Sequence, residues 1–107
     1  MLNIRKTGEG YYLASLTGPY NALGSKECHL IRKEIRSVIK PHREISINIK
    51  GVQSIDNRGG NILLELMQLA DASRCKIRFM NAEPSVSAKI AQLLEKRSQL
   101  KGELEID

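Results

Sequence analysis

A chain of 107 residues has room for one layered core and little besides. With 41% hydrophobic and 27% charged residues, it has neither the polarity of a disordered segment nor the apolar run of a membrane span. Seventeen basic against twelve acidic side chains leave +5, a charge that attracts nucleic acid, anionic lipid or an acidic protein without choosing among them.

Leu2, Ile4 and the Gly8/Gly10 turn predict a short first strand and a tight connection. Tyr11-Tyr12-Leu13-Ala14-Ser15-Leu16 reads as a second strand, stopped by Thr17-Gly18-Pro19. Leu30, Ile31, Ile35, Val38 and Ile39 draw one apolar stripe on a helix over 25–40, which Pro41 breaks. Ile45-Ser46-Ile47-Asn48-Ile49-Lys50 alternates three isoleucines with polar residues, as a strand with one buried face requires. Residues 51–60 read as a loop, and Ile62, Leu63, Leu66, Met67, Leu69 and Ala70 give the next helix a wide buried face. Lys76-Ile77-Arg78-Phe79-Met80 reads as a further strand. Asn81-Ala82-Glu83-Pro84 turns the chain into a third helix with Val86, Ile90, Leu93 and Leu94 on its apolar side. The structure of the charge-rich segment 95–107 is left open, with Leu100, Leu104 and Ile106 as its apolar points.

Strands alternating with single helices predict an α/β fold built on right-handed crossovers. The expected architecture is one domain over 1–107, its core at 2–94. Its central sheet is mixed but mostly parallel, with about four strands and three or more helices.

Two cysteines cannot frame an extracellular disulfide scaffold, and no apolar block of signal-peptide length follows Met1, so a cytoplasmic location is expected. His29 and His42 have no partner at catalytic or metal-ligand spacing. Cys28, His29 and Cys75 make a scattered zinc set, and the cysteines read instead as small buried apolar residues. There is no Gly-Lys-Ser/Thr phosphate loop and no recognisable nucleophile context, so neither an enzyme nor a cofactor is expected. Lys26, Arg32, Lys33, Arg36 and Lys40 form a basic strip on the first helix. Glu27 and Glu34 interrupt it, and no aromatic residue is interleaved, so it reads as a solvated face rather than a specific nucleic-acid site.

The informative stretch is Val52-Gln53-Ser54-Ile55-Asp56-Asn57-Arg58-Gly59-Gly60, between the alternating strand and the second helix. Such loops carry the working groups of α/β folds, and a helix entrance offers unpaired N–H donors. Asp56 or Asn57 is the expected cap. Arg58 opposes the helix dipole there, so it either pairs with Asp56 or faces an outside partner. Gly59-Gly60 is a poor helix start and signals something packed close to the backbone.

This order of elements resembles the STAS domain family (sulfate transporter and anti-sigma factor antagonist) over residues 2–94. The resemblance is carried by Ile45-Ser46-Ile47-Asn48-Ile49-Lys50, Ser54-Ile55-Asp56-Asn57-Arg58-Gly59 and Ile62-Leu63-Leu64. It is also carried by Leu16-Thr17-Gly18-Pro19-Tyr20-Asn21, where Asn21 replaces the family's Asp, and by Ile77-Arg78-Phe79-Met80-Asn81 with Val86. In the family's anti-sigma factor antagonists the loop reads Asp-Ser-Ser/Thr-Gly, and a kinase-type anti-sigma factor phosphorylates the second hydroxyl residue. Here Asp56 and Gly59 match, whereas Asn57 and Arg58 replace both hydroxyl positions. Gly60 stands where an aliphatic residue is common, and the family's Gly after the third helix is missing near Lys96-Arg97-Ser98.

The resemblance implies a bacterial regulatory module that binds protein through Asp56, Asn57, Arg58, Gly59 and Gly60 and the adjoining first helix. It lacks the phosphorylation switch at Arg58. The expected partner is a protein, either a kinase-type anti-sigma factor or, as an accessory subunit, the ATPase of a membrane phospholipid transporter. A weak homodimer is left open; specific nucleic-acid binding and membrane insertion are not expected. A further alternative is a sensor of a small anion or nucleotide at the helix entrance beside Arg58.

Overall fold

The structure, a computed structural model, describes residues 2–16 and 20–105, with side chains up to 97. Strand β1 (Leu2–Gly8) turns back into β2 (Tyr11–Leu16) as an antiparallel hairpin. The turn depends on Gly10, whose φ of +80° lies where a side chain is strained. The expected stop at Thr17-Gly18-Pro19 lies outside the described residues.

The chain then forms β3 (Ala22–Leu23), α1 (Ser25–Arg36), β4 (Glu44–Asn48), β5 (Ser54–Ile55), α2 (Asn57–Ala72), β6 (Lys76–Met80) and α3 (Pro84–Glu105). The main sheet has the order β1-β2-β4-β6, antiparallel at the first pair and parallel at the other two. It is the mixed, mostly parallel four-stranded sheet that the alternation of elements predicts.

Helix α1 ends at Arg36, short of the predicted residue 40. Ser37 closes it, its hydroxyl donating to the Glu34 carbonyl at 2.7 Å, and the Val38 N–H turns back to the Ile35 carbonyl. Pro41 disfavours helical geometry at Lys40, so the chain unwinds before the proline rather than at it. Val38 and Ile39 still pack against the core from outside the helix. At the other end of the chain, segment 95–107 extends α3 as far as Glu105; the side chains of Leu100, Leu104 and Ile106 lie outside those described.

Two crossovers, β2-α1-β4 and β4-α2-β6, link parallel neighbours and step across the sheet in the same direction. Right-handed connections of that kind place both helices on one face. Ile45, Ile47 and Ile49 point to that face and are buried with Cys28, Ile31 and Ile35 of α1 and Leu63, Leu66 and Ala70 of α2. Glu44, Ser46 and Asn48 alternate with them and stay half-exposed on the other face. Leu69, Leu30 and Leu94, read from periodicity as apolar-face residues, are 40%, 42% and 47% exposed because they sit on outward ridges of their helices.

Candidate functional site

Two short strands that the sequence reading left inside loops organise the candidate loop. β3 and β5 pair in parallel, Ala22 opposite Ser54 and Leu23 opposite Ile55. The Gln53 N–H donates to the Asn21 carbonyl at 2.7 Å, and the Asp56 N–H to the Leu23 carbonyl at 3.3 Å. Helices α1 and α2 follow these strands directly, so their amino ends begin side by side.

Asp56 is the N-cap of α2. Its Oδ1 accepts the Gly59 N–H at 2.6 Å and its carbonyl accepts the Gly60 N–H at 2.9 Å. This satisfies donors that a helix start otherwise leaves orphaned. A Cβ added to Gly24, the N-cap of α1, would stand 3.4 Å from Asp56 Oδ2, so this carboxylate lies against both helix starts. With Asp56 already seated there, the α2 entrance offers less to an outside anion than an uncapped helix would.

The two glycines answer to packing within the chain. At Gly59 a Cβ would meet Cys28 Sγ at 3.0 Å and the Gly24 carbonyl at 3.2 Å. At Gly60 it would overlap Leu93 of α3. Both glycines are buried, whereas Asp56, Asn57 and Arg58 are exposed. The close neighbours are therefore α1 and α3, and the surface offered outward is residues 56–58.

Asn57 is held from α3: Lys89 Nζ donates to its Oδ1 at 2.9 Å. One turn on, Arg97 donates to the side chain and carbonyl of Asn61, at 3.2 Å each, and to Gln68 Oε1 at 3.1 Å. Lys89 and Leu93 thus shape the loop and Arg97 fixes the turn of α2 after it; the sequence placed Leu93 on the apolar side of α3, whereas nothing local pointed to Lys89 or Arg97. Only their helical spacing of four from Leu93, facing α2, carried the signal. Arg58 has no hydrogen-bond or ion-pair partner among the described residues. It does not pair with Asp56, whose carboxylate is engaged by the backbone.

Cys28 lies directly beneath this site. Burial pushes its thiol up to about 12, and the nearby Asp56 and Glu27 carboxylates add to the rise. Burial also raises Cys75, just before β6. Both are free thiols, and among the described residues no three His, Cys, Asp or Glu side chains are placed to hold a metal ion. No described helix is long and apolar enough to cross a membrane. An apolar groove lined by Leu64, Met67, Ile77 and Leu94 lies at the far half of α2, away from residues 56–58.

No family model matches the chain, and no curated protein matches it. Solved structures do. The chain is similar to the unphosphorylated anti-sigma factor antagonist SpoIIAA, with 17% identity and a TM-score of 0.63, covering 95% of this chain and 97% of that one. It is similar to part of the murine anion transporter Slc26a9 in its inward-facing state, with 16% identity, a TM-score of 0.63 and 78% of this chain covered. It is also similar to part of Mglu, with 13% identity, a TM-score of 0.65 and 78% of this chain covered. The chain spans only 14% of the transporter and 20% of Mglu. At these identities the likeness is one of fold, and the fold is STAS-like.

Proposed function

We propose that this protein is a non-catalytic, cytoplasmic regulatory module resembling anti-sigma factor antagonists. It binds a protein partner through Asp56, Asn57 and Arg58 and the adjoining start of α1. The observation that carries this reading is Arg58, an exposed cation with no partner among the described residues, flanked by residues fixed by hydrogen bonds. Asp56 sets the loop's shape, Gly59 and Gly60 hold it down on α1 and α3, and Arg58 offers a fork of donors suited to a carboxylate.

In the resembling antagonists a phosphate at this position reverses binding by adding nearly two negative charges. Arginine cannot accept that phosphate from a serine kinase, so binding here is constitutive with respect to that switch. The partner is a kinase-type anti-sigma factor. A second reading is an accessory subunit of a membrane transport ATPase; the likeness to part of an anion transporter shows only that this fold also stands in a membrane transport protein.

The test is affinity capture from the native cytosol and membranes with wild type and Arg58→Glu. Wild type is expected to retain a kinase-type anti-sigma factor and Arg58→Glu to lose it, with no phosphate on residues 53–60 after incubation with ATP. A transport ATPase in its place supports the second reading. Equal capture by both forms, or phosphate on Ser54, contradicts the proposal.

A further inference from the structure

The basic strip on α1 is interrupted by Glu27 and Glu34 only in sequence. His29, Arg32, Lys33 and Arg36 follow the spacing i, i+3, i+4, i+7 and fall within roughly 100° of the helix circumference. The two acids lie about 160° away from the middle of that sector. Glu34 is turned to the sheet edge, where its Oε2 accepts the Leu2 N–H at 3.1 Å. Glu27 is turned toward Gly24. What remains outward is a shallow cleft lined by His29, Arg32, Lys33 and Arg36.

Arg32 is oriented at the edge of this sector that faces α2. It donates to His29 Nδ1 at 2.8 Å and pairs with the Glu65 carboxylate of α2 at 3.5 Å, which takes up part of its charge and leaves Lys33 and Arg36 as the open cations. Lys33 and Arg36 have no side-chain partner among the described residues. Their place in the last turn suits the helix dipole, but the dipole does not account for His29 and the oriented Arg32 one and two turns earlier.

We infer that this face of α1 is a second contact surface, and that it takes an acidic polypeptide segment. Charge complementarity selects the occupant. Cys28, Ile31 and Ile35 of α1 are buried in the core, and Leu30 alone of its apolar residues is exposed, too little apolar surface to seat the face in a bilayer. No Phe, Tyr or Trp ring lines the cleft for stacking a base, and the His29 imidazole is engaged by Arg32. The Lys33 ammonium and the Arg36 guanidinium, with the Arg32 guanidinium held beside them, lie along about 6 Å of helix and match carboxylates repeating along a chain. The inference rests on the protein-binding reading above and gives the chemistry of the partner's second point of contact.

The test uses the full chain and poly-L-glutamate as the probe. Binding is followed by amide chemical shifts in wild type, Lys33→Glu/Arg36→Glu, the milder Lys33→Gln/Arg36→Gln, and the charge-matched control Lys50→Glu/Lys76→Glu. The expected result is saturable, salt-sensitive binding with shifts on residues 29–36. Affinity falls about tenfold in the Glu pair, less in the Gln pair, and little in the control. No saturable binding, or an equal loss in the control, overturns the inference. So does binding to phosphatidylcholine vesicles containing phosphatidylglycerol in place of the peptide. Arg58→Glu, titrated with the same probe, keeps the two readings apart, because it removes the loop contact and leaves the α1 face intact.

Discussion

Arg58 stands in the first turn of α2, where a cation opposes the helix dipole by several tenths of a kcal/mol. No ion pair among the described residues offsets that cost. Its neighbour below, Cys28, is the opposite case, a group whose environment determines its chemistry completely. Its thiol ordinarily loses a proton near 9.0 and holds it to about 12 in the folded chain. Above pH 9 the unfolded chain releases that proton while the folded chain keeps it, so stability is full below pH 9 and declines as pH rises through about 12. Denaturation measured between pH 9 and 11 should therefore show wild type losing stability more steeply than Cys28→Ala, by up to about 1.4 kcal/mol per pH unit. Identical slopes would place the thiol in water. At this scale the sequence was legible in part. Asp56 as a cap and Arg58 as a misfit follow from residue type and position. The seating of Cys28 under Gly59 does not, because it joins two helices that are separated by two strands.

Among the elements, the α2–α3 contact shows the same limit. Two adjacent glycines announce a close neighbour but cannot name it. The neighbour of Gly60 is Leu93, more than thirty residues on, and its helix is anchored by Lys89 to Asn57 and Arg97 to Asn61. Gly60→Ala is expected to cost about 1–3 kcal/mol through overpacking, and markedly less in a Leu93→Ala background, where the added methyl has space. Thermal denaturation of the two singles and the double checks this; additive costs would contradict the contact. Strand β4 and helix α3 were readable from their periods, and β6 matches its predicted span. The two-residue strands β3 and β5 were not, because so short a pairing leaves no alternation to read, yet they set the register of both helix starts. The basic stripe of α1 was present in the spacing. Only the turn of Glu27 and Glu34 to other neighbours separates it from a solvated mixture of charges.

The whole molecule is one-sided. Both crossovers step the same way, which stacks the helices on one face of the sheet and gathers the amino ends of α1 and α2 at one end of it. That arrangement brings the exposed residues 56–58 beside the start of α1, whose basic face then runs on along the same helix layer. The order of elements made the fold legible; the location of the contact surface needed three-dimensional neighbours. The central claim is that a protein partner is gripped at this end of the helix layer. It is tested most directly by hydrogen–deuterium exchange on the complex with the partner recovered by capture. Slowed exchange is expected at residues 25–36 and 54–60, with the sheet's helix-free face unchanged. Slowing confined to β1, to β6 or to that open face would contradict it.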